Sequence, residues 1–183
     1  MAATVIINRL TGAGPTETDI TSINTRANAE DAHSTAGTSN SILIPAAGTN
    51  YSYWVVTQLD VTAITGGTVN NLKWYTDGSN NFGTGVTCKV STAGTYDQAT
   101  GTEGETGTQL TVANYGNGST DLDGAPSDAF GYTSGSPLSV TGSTSSTGAF
   151  GSMVVYQIEV ASTASSGATS SETFTWKYDD TSS

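Results

Sequence analysis

Two stretches of the chain decide the fold. They read YSYWVVTQLDVT at residues 51–62 and GSMVVYQIEVA at residues 151–161. Side chains alternate between the two faces of a β-strand, so every second residue lies on the same face. In each stretch one set is mostly apolar, which predicts a long strand with one face in a core. The two sets are Tyr53, Val55, Leu59 and Val61, and Val154, Tyr156, Ile158 and Val160.

Shorter runs with the same period, separated by turn-forming residues, occupy much of the remaining chain. Their number and spacing predict an all-β protein, an antiparallel β-sandwich of jelly-roll type. We expect these further strands at residues 4–7, 20–23, 41–44, 69–76, 85–91, 109–113, 129–132, 138–141 and 173–178.

Residues 9–40 depart from the strand pattern, with few apolar residues and no clear period. So long an irregular segment is uncommon inside a compact domain. We therefore divide the chain into residues 1–40, a short strand followed by an extended irregular arm, and residues 41–183, the β-sandwich domain. The arm is expected to lie over a surface of its own chain or of a neighbour.

The composition excludes several classes of protein. The 183 residues include 16 Asp and Glu but 5 Lys and Arg, a net charge of −11. Such a surface repels a phosphate backbone, so we expect no nucleic-acid partner. No apolar run approaches the roughly 20 residues that span a bilayer, so we expect no membrane partner. The first residues do not form a basic segment followed by an apolar one, so no signal peptide is predicted.

The two long strands also carry an anomaly on their outer faces. Trp54 and Val56 lie opposite the core set of the first strand, and Met153 and Val155 opposite that of the second. Large exposed apolar patches mark interaction surfaces, so these four residues are the predicted interface. The cover could be the 9–40 arm, which we favour, another subunit or a ligand. Both strands turn polar further along, so the cover should end partway, at Gln58, Asp60, Gln157 and Glu159.

Catalytic patterns are scarce. Cys88 and His33 are single occurrences of their residue types; we expect a buried, inert thiol and a solvated imidazole. Glu103 and Glu105 lie in a Gly- and Thr-rich loop and are interpreted as solvated carboxylates. No nucleophile elbow, zinc-protease motif or phosphate-binding loop occurs. The sequence therefore predicts a protein that is not an enzyme and has no catalytic or cofactor-binding residues.

Structural calcium is the one metal that the sequence leaves open. Asp77 opens the run DGSNN, while Asp121 and Asp123 lie in DLDG with Asp128 nearby. Calcium takes six to eight oxygen ligands, often from turns. Neither segment matches an EF-hand, and the same residues form ordinary turns.

Tryptophan offers a second kind of site, since exposed indole rings stack on sugars in carbohydrate-binding modules. Trp74 shares a face with Leu72, and Trp176 shares one with Phe174 and Tyr178, so both are predicted core residues. Trp54 lies on the anomalous outer face and is the candidate for sugar stacking.

Three stretches are similar in style to structural proteins of tailed bacteriophages and related viruses. They read PAAGTNYSYWVVTQLDV, NNLKWYTDGSNNFGTGVTCKV and SDAFGYTSGSPLSVTGS, within residues 41–183. The resemblance implies a head decoration, or cement, protein on the capsid, with the major capsid protein and copies of itself as partners, commonly as a homotrimer. It implies localisation in the virion, assembled in the host cytoplasm, and assigns no functional residue. The alternatives are a carbohydrate-binding or adhesin-type module, or a tail, collar or fibre component.

Overall fold

The computed structural model describes residues 2–116 and 121–181. They form twelve β-strands and one turn of 3-10 helix, Ala129–Gly131. The strands are β1 (Thr4–Thr11), β2 (Thr16–Asp19), β3 (Thr49–Tyr51), β4 (Val55–Ala63), β5 (Val69–Tyr75), β6 (Val86–Ala93), β7 (Gly101–Thr102), β8 (Thr106–Gly107), β9 (Ser127–Asp128), β10 (Leu138–Ser139), β11 (Gly148–Ala161) and β12 (Thr175–Asp180).

A seven-stranded sheet contains the two long strands identified from the sequence. Its order is β2-β1-β4-β11-β6-β9, and β3 pairs with one end of β11. All pairs are antiparallel, and β11 lies between β4 on one side and β6 on the other. The register between β11 and β4 shifts between Phe150 and Val154, where β11 is bulged. The two strands that are apolar on both faces, β4 and β11, are therefore neighbours in the centre of the sheet.

The second sheet has three strands in the order β10-β5-β12. It packs over one face of the larger sheet and encloses the main core. That core includes Leu59 and Val61 of β4, Leu72 and Trp74 of β5, and Tyr156 of β11. The predicted antiparallel β-sandwich is confirmed, and so is the burial of Trp74, which is 1% exposed. The jelly-roll connection of the strands stays a prediction.

The N-terminal strand is longer than its sequence pattern indicates. We expected residues 4–7, but β1 continues to Thr11 and then pairs with β2, within the segment that we expected to be irregular. Polar residues end the apolar alternation at Asn8 and Arg9, yet both are buried. Asn8 bonds Glu17 on β2, and Arg9 bonds Thr25. These buried polar groups form hydrogen bonds with residues distant in sequence. Because apolar alternation does not reveal such bonds, it places the end of the strand too early.

Four of the predicted strands are not strands in the structure. Residues 20–23, 41–44 and 109–113 are irregular, and residues 129–132 contain the 3-10 turn Ala129–Gly131. Each is short, so its intrinsic preference for strand is easily overridden by bonds to other parts of the chain. The backbone N–H of Leu43, for example, donates to the carbonyl of Glu105. Among the described residues no helix is long and apolar enough to cross a membrane.

Candidate functional site

The four residues predicted to form an interface are all buried. Trp54 is 3% exposed, Val56 1%, Met153 4% and Val155 0%. They belong to a second apolar cluster, on the face of the seven-stranded sheet opposite the main core. The other members are Leu10, Tyr53, Ala93, Ala99, Leu110, Tyr115 and Leu122, with Tyr96 packed against them. The structure thus shows a cover over these four side chains, and the cover belongs to the same chain.

The cover is mainly the connection that follows β6, which we call the covering segment, residues 94–116. It supplies Ala99, Leu110 and Tyr115 to the second cluster, and Leu122 follows it. The 9–40 arm, our favoured cover, contributes Leu10 alone to this cluster, and Leu10 belongs to β1. The expectation that the arm covers these residues is therefore wrong. The sequence predicted one short strand within this segment, at residues 109–113, and did not indicate that the segment covers the sheet.

Trp54 lies at the centre of the second cluster. Its ring centroid is 5.4 Å from that of Tyr115, and its indole N–H donates to the carbonyl of Asp97 over 3.1 Å. The Tyr115 hydroxyl donates to the carbonyl of Thr95 and accepts from the backbone N–H of Asp97. Since its polar group is bonded and its faces are covered, Trp54 presents no stacking platform to a sugar. The expectation of a sugar-binding Trp54 is corrected accordingly.

Gln157 fastens the covering segment to the sheet. Its side chain is 0% exposed, although the sequence pattern predicted that the cover would end at this residue. The amide oxygen accepts from the backbone N–H of Leu110 at 2.6 Å. The amide nitrogen donates to the carbonyls of Ser52 at 2.7 Å and Thr108 at 2.8 Å. The cover therefore extends past Gln157, and ends near Glu159, which is partly exposed.

The 9–40 arm lies over a different part of its own chain, at the end of β1 and β4. The guanidinium of Arg9, 1% exposed, donates to the hydroxyl of Thr25 and the carbonyl of Arg26. Burial lowers the pKa of Arg9. The carbonyl of Asn28 accepts from the backbone N–H of Tyr53. These bonds hold the arm on the domain in the single chain.

A cavity of about 410 Å³ separates the arm from the covering segment and is lined by Glu30, Asp31 and Glu103 among others. Asp31 accepts from the backbone of Gly12 and the amide of Gln98. Both carboxylate oxygens of Glu30 and one of Glu103 accept from asparagine amides. The carboxylates therefore join the two segments of the chain.

The four aspartates considered for calcium do not assemble into a site. Within residues 2–116 and 121–181, no three His, Cys, Asp or Glu residues are grouped to hold a metal ion. Asp77 accepts from the backbone N–H of Ser79, and Asp128 accepts from that of Phe130 and caps the 3-10 turn. Asp121 and Asp123 lie in the stretch that follows the covering segment, where their backbones bond Gly94 and Thr92.

Cys88 lies in the main core and is 0% exposed, as predicted. Burial raises the pKa of its thiol, so the reactive thiolate is disfavoured. His33 is partly exposed, and its Nδ1 lies 3.2 Å from the hydroxyl of Thr25. Partial burial, and then the charge of Arg9, lower the pKa of this imidazole. Neither side chain has the environment of an activated nucleophile.

Apolar side chains that are open to solvent form a different candidate site. Leu43 is 51% exposed and its neighbour Ile44 is 38% exposed, while the preceding Ile42 packs against the main core. The carbonyl of Leu43 accepts from the side chain of Asn50, and its N–H donates to Glu105. We call this pair the aliphatic contact. Alternation along the expected strand at residues 41–44 would place Ile42 and Ile44 on one face, so it did not indicate that Leu43 and Ile44 are both exposed.

No family model matches this sequence, and neither a curated protein nor a solved structure matches it.

Proposed function

We propose that this chain is a non-enzymatic structural protein of a virus particle, a capsid decoration protein that bridges and stabilises neighbouring capsid subunits. Its partners would be the major capsid protein and further copies of itself, as a homotrimer in the virion. The proposal starts from the sequence, because residues 41–183 resemble virion structural proteins. The observation that carries a role in contact between proteins is the aliphatic contact, Leu43 and Ile44.

The aliphatic contact has two properties of a protein-binding anchor. First, its side chains are exposed although the adjacent Ile42 reaches the core, so burial against a partner would remove further apolar area from water. Each Å² removed contributes about 25 cal/mol. Second, the bonds to Glu105 and Asn50 fix the backbone before binding. A fixed segment loses little conformational entropy when a partner docks.

The interior supports a role without chemistry. The thiol of Cys88 is enclosed, and the acidic side chains between the arm and the covering segment bond other parts of the chain. The net charge of −11 favours a partner surface that is basic or apolar. Many weak contacts repeated over a lattice would provide avidity without a large single interface.

The experiment measures binding of the full chain to particles from which it has been removed. We expect Leu43→Ser to lower occupancy at fixed concentration by at least about tenfold, the effect of about 1.4 kcal/mol. The matched control is Ile23→Ser, because Ile23 is 47% exposed and Leu43 is 51% exposed. Equal occupancy for the two variants would contradict the role of the aliphatic contact. Failure of the wild-type chain to bind particles would contradict the proposed function itself.

A tail, collar or fibre component would use the same contact with a different partner. The position of the chain within the particle distinguishes a tail, collar or fibre component from a capsid protein. Density for the chain at the tail or collar, and none on the capsid shell, would replace the capsid assignment.

A further inference from the structure

The outer face of the three-stranded sheet carries a cleft lined with hydroxyl groups. Its volume is about 370 Å³, and its lining residues are Tyr75, Thr76, Asp77, Ser134, Thr173 and Thr175. Tyr75 and Thr175 are directly paired across β5 and β12, which places both side chains on one face. Trp74 is in the main core, so Tyr75 lies on the opposite, solvent-facing side of the sheet. We call this feature the hydroxyl cleft.

Most hydroxyls of the cleft are not used by the protein. The Thr76 hydroxyl donates to the carbonyl of Tyr132. Those of Tyr75, Ser134, Thr173 and Thr175 form no hydrogen bond with any other described residue. Asp77 accepts from Ser79 with one carboxylate oxygen. Each free hydroxyl can both donate and accept, which is the pattern that the hydroxyls of a sugar require.

A pair of lysines lies beside the cleft on the same face. Lys73 and Lys177 are directly opposite each other on β5 and β12, two residues before Tyr75 and two after Thr175. Like charges in this position destabilise a sheet. Lys73 donates to the hydroxyl of Ser139, and neither lysine forms an ion pair with a described carboxylate. In a chain with 16 acidic residues, two of the five basic ones thus lie opposite each other with no ion pair to a described carboxylate.

From these two features we infer that the outer face of β5 and β12 binds an acidic saccharide, with the ring in the hydroxyl cleft and the carboxylate on the lysine pair. The half-buried ring of Tyr75, between the two, offers an apolar surface to the sugar ring. Asp77, two residues beyond the end of β5, also lines the cleft, where its second carboxylate oxygen would accept from sugar hydroxyls. The chain order Lys73, Tyr75, Asp77 therefore orients a ligand that is negative at one end. This inference uses residues other than the aliphatic contact and does not rest on the proposed function.

The test titrates the full chain with two tetrasaccharides while amide resonances are followed by NMR. One alternates glucuronic acid with N-acetylglucosamine, and the other is the neutral N-acetylglucosamine tetramer. We expect saturable shifts at the amides of residues 73–77 and 173–177, and at least about tenfold tighter binding of the acidic probe. Raising ionic strength from about 0.01 M to about 1 M, which shortens the Debye length from about 30 Å to about 3 Å, should abolish that preference.

Variants identify the groups responsible. Lys177→Ser should lower the affinity for the acidic probe at least about tenfold, whereas Lys89→Ser makes the same charge change on β6 and should leave it unaltered. Thr175→Val preserves shape and should weaken both probes, and Thr16→Val, at an exposed position of β2, is its control. The inference is overturned by equal affinity for the two probes, by unaltered binding in Lys177→Ser, or by the absence of shifts at these amides with either probe.

Discussion

The amide oxygen of Gln157 accepts a 2.6 Å hydrogen bond from the backbone N–H of Leu110. This contact joins the centre of the seven-stranded sheet to the covering segment, 47 residues away in sequence. The amide nitrogen of the same side chain donates to two carbonyls, so one buried glutamine bonds three backbone groups. Buried polar groups are costly when a partner is removed, and this gives the contact a measurable consequence.

We predict that Gln157→Ala destabilises the domain by at least about 3 kcal/mol, because three buried backbone groups lose their partner. The free energy of unfolding would be measured in urea. The matched control is Gln58→Ala on β4, since Gln58 is half-buried and donates to the single carbonyl of Gly151. Its expected cost is about 1 kcal/mol. Similar costs for the two variants would contradict the anchoring role of Gln157.

The second prediction concerns Trp54, whose ring fills the cluster under the covering segment. We expect Trp54→Ala to cost about 3–5 kcal/mol, the usual range for a buried aromatic. The loss of structure in this variant should be confined at first to the covering segment, because the main core on the other side of the sheet keeps its contacts. Hydrogen exchange should therefore accelerate at Asp97, Leu110 and Tyr115 before it accelerates in β5 and β12.

Trp74→Ala is the control for Trp54→Ala, because Trp74 lies in the main core between the two sheets. That variant should accelerate exchange in β5 and β12 as strongly as in the covering segment. If Trp54→Ala accelerated exchange uniformly as well, the second cluster would not be a separate cooperative unit.

The third prediction is a loss of stability at alkaline pH. Burial raises the pKa of the Cys88 thiol above its ordinary value of 9.0, and raises the pKa of the phenols of Tyr96, Tyr115 and Tyr156 above 10.0. In the unfolded chain these groups release their protons first, so the folded state binds more protons above pH 9. Stability from this source is fully present below about pH 9 and falls as pH rises, by up to about 1.4 kcal/mol per pH unit for each group.

Urea unfolding between about pH 7 and pH 11 measures this slope. Tyr156→Phe removes one buried phenol, so its stability should fall less steeply above pH 10 than that of the wild type. A wild-type stability that rises or stays constant from pH 9 to pH 11 would contradict the burial of these groups.

The sandwich could be predicted from the sequence because its longest strands show apolar alternation, a pattern contained within each strand. Apolar alternation in residues 151–161 and 173–178 coincides with most of β11 and β12. The double-sided character of Trp54, Val56, Met153 and Val155 likewise indicated a second layer, which the structure contains. Alternation placed most of these side chains on the correct face. Tyr53 is an exception, because it was expected in the main core with Val55 and lies in the second cluster.

Other features depend on contacts between residues distant in sequence, which a pattern does not contain. Gln157 reads as a solvent-facing residue, and its burial depends on backbone groups at Ser52, Thr108 and Leu110. Tyr96 and Tyr115 lie in a stretch with no period, so the covering segment was not identified. The hydroxyl cleft depends on the pairing of β5 with β12, about 100 residues apart, and its residues are ordinary loop and strand residues when taken singly.

We propose that the chain is a capsid decoration protein that binds its neighbours through the aliphatic contact. The most direct test is a cryo-EM map of purified particles of the virus that would encode the chain under this proposal, with mass spectrometry to establish whether the chain is present. Our account predicts copies of the sandwich on the capsid shell, with Leu43 and Ile44 buried against a neighbouring subunit. Particles without the chain, or a map in which Leu43 and Ile44 face solvent at every copy, would contradict it.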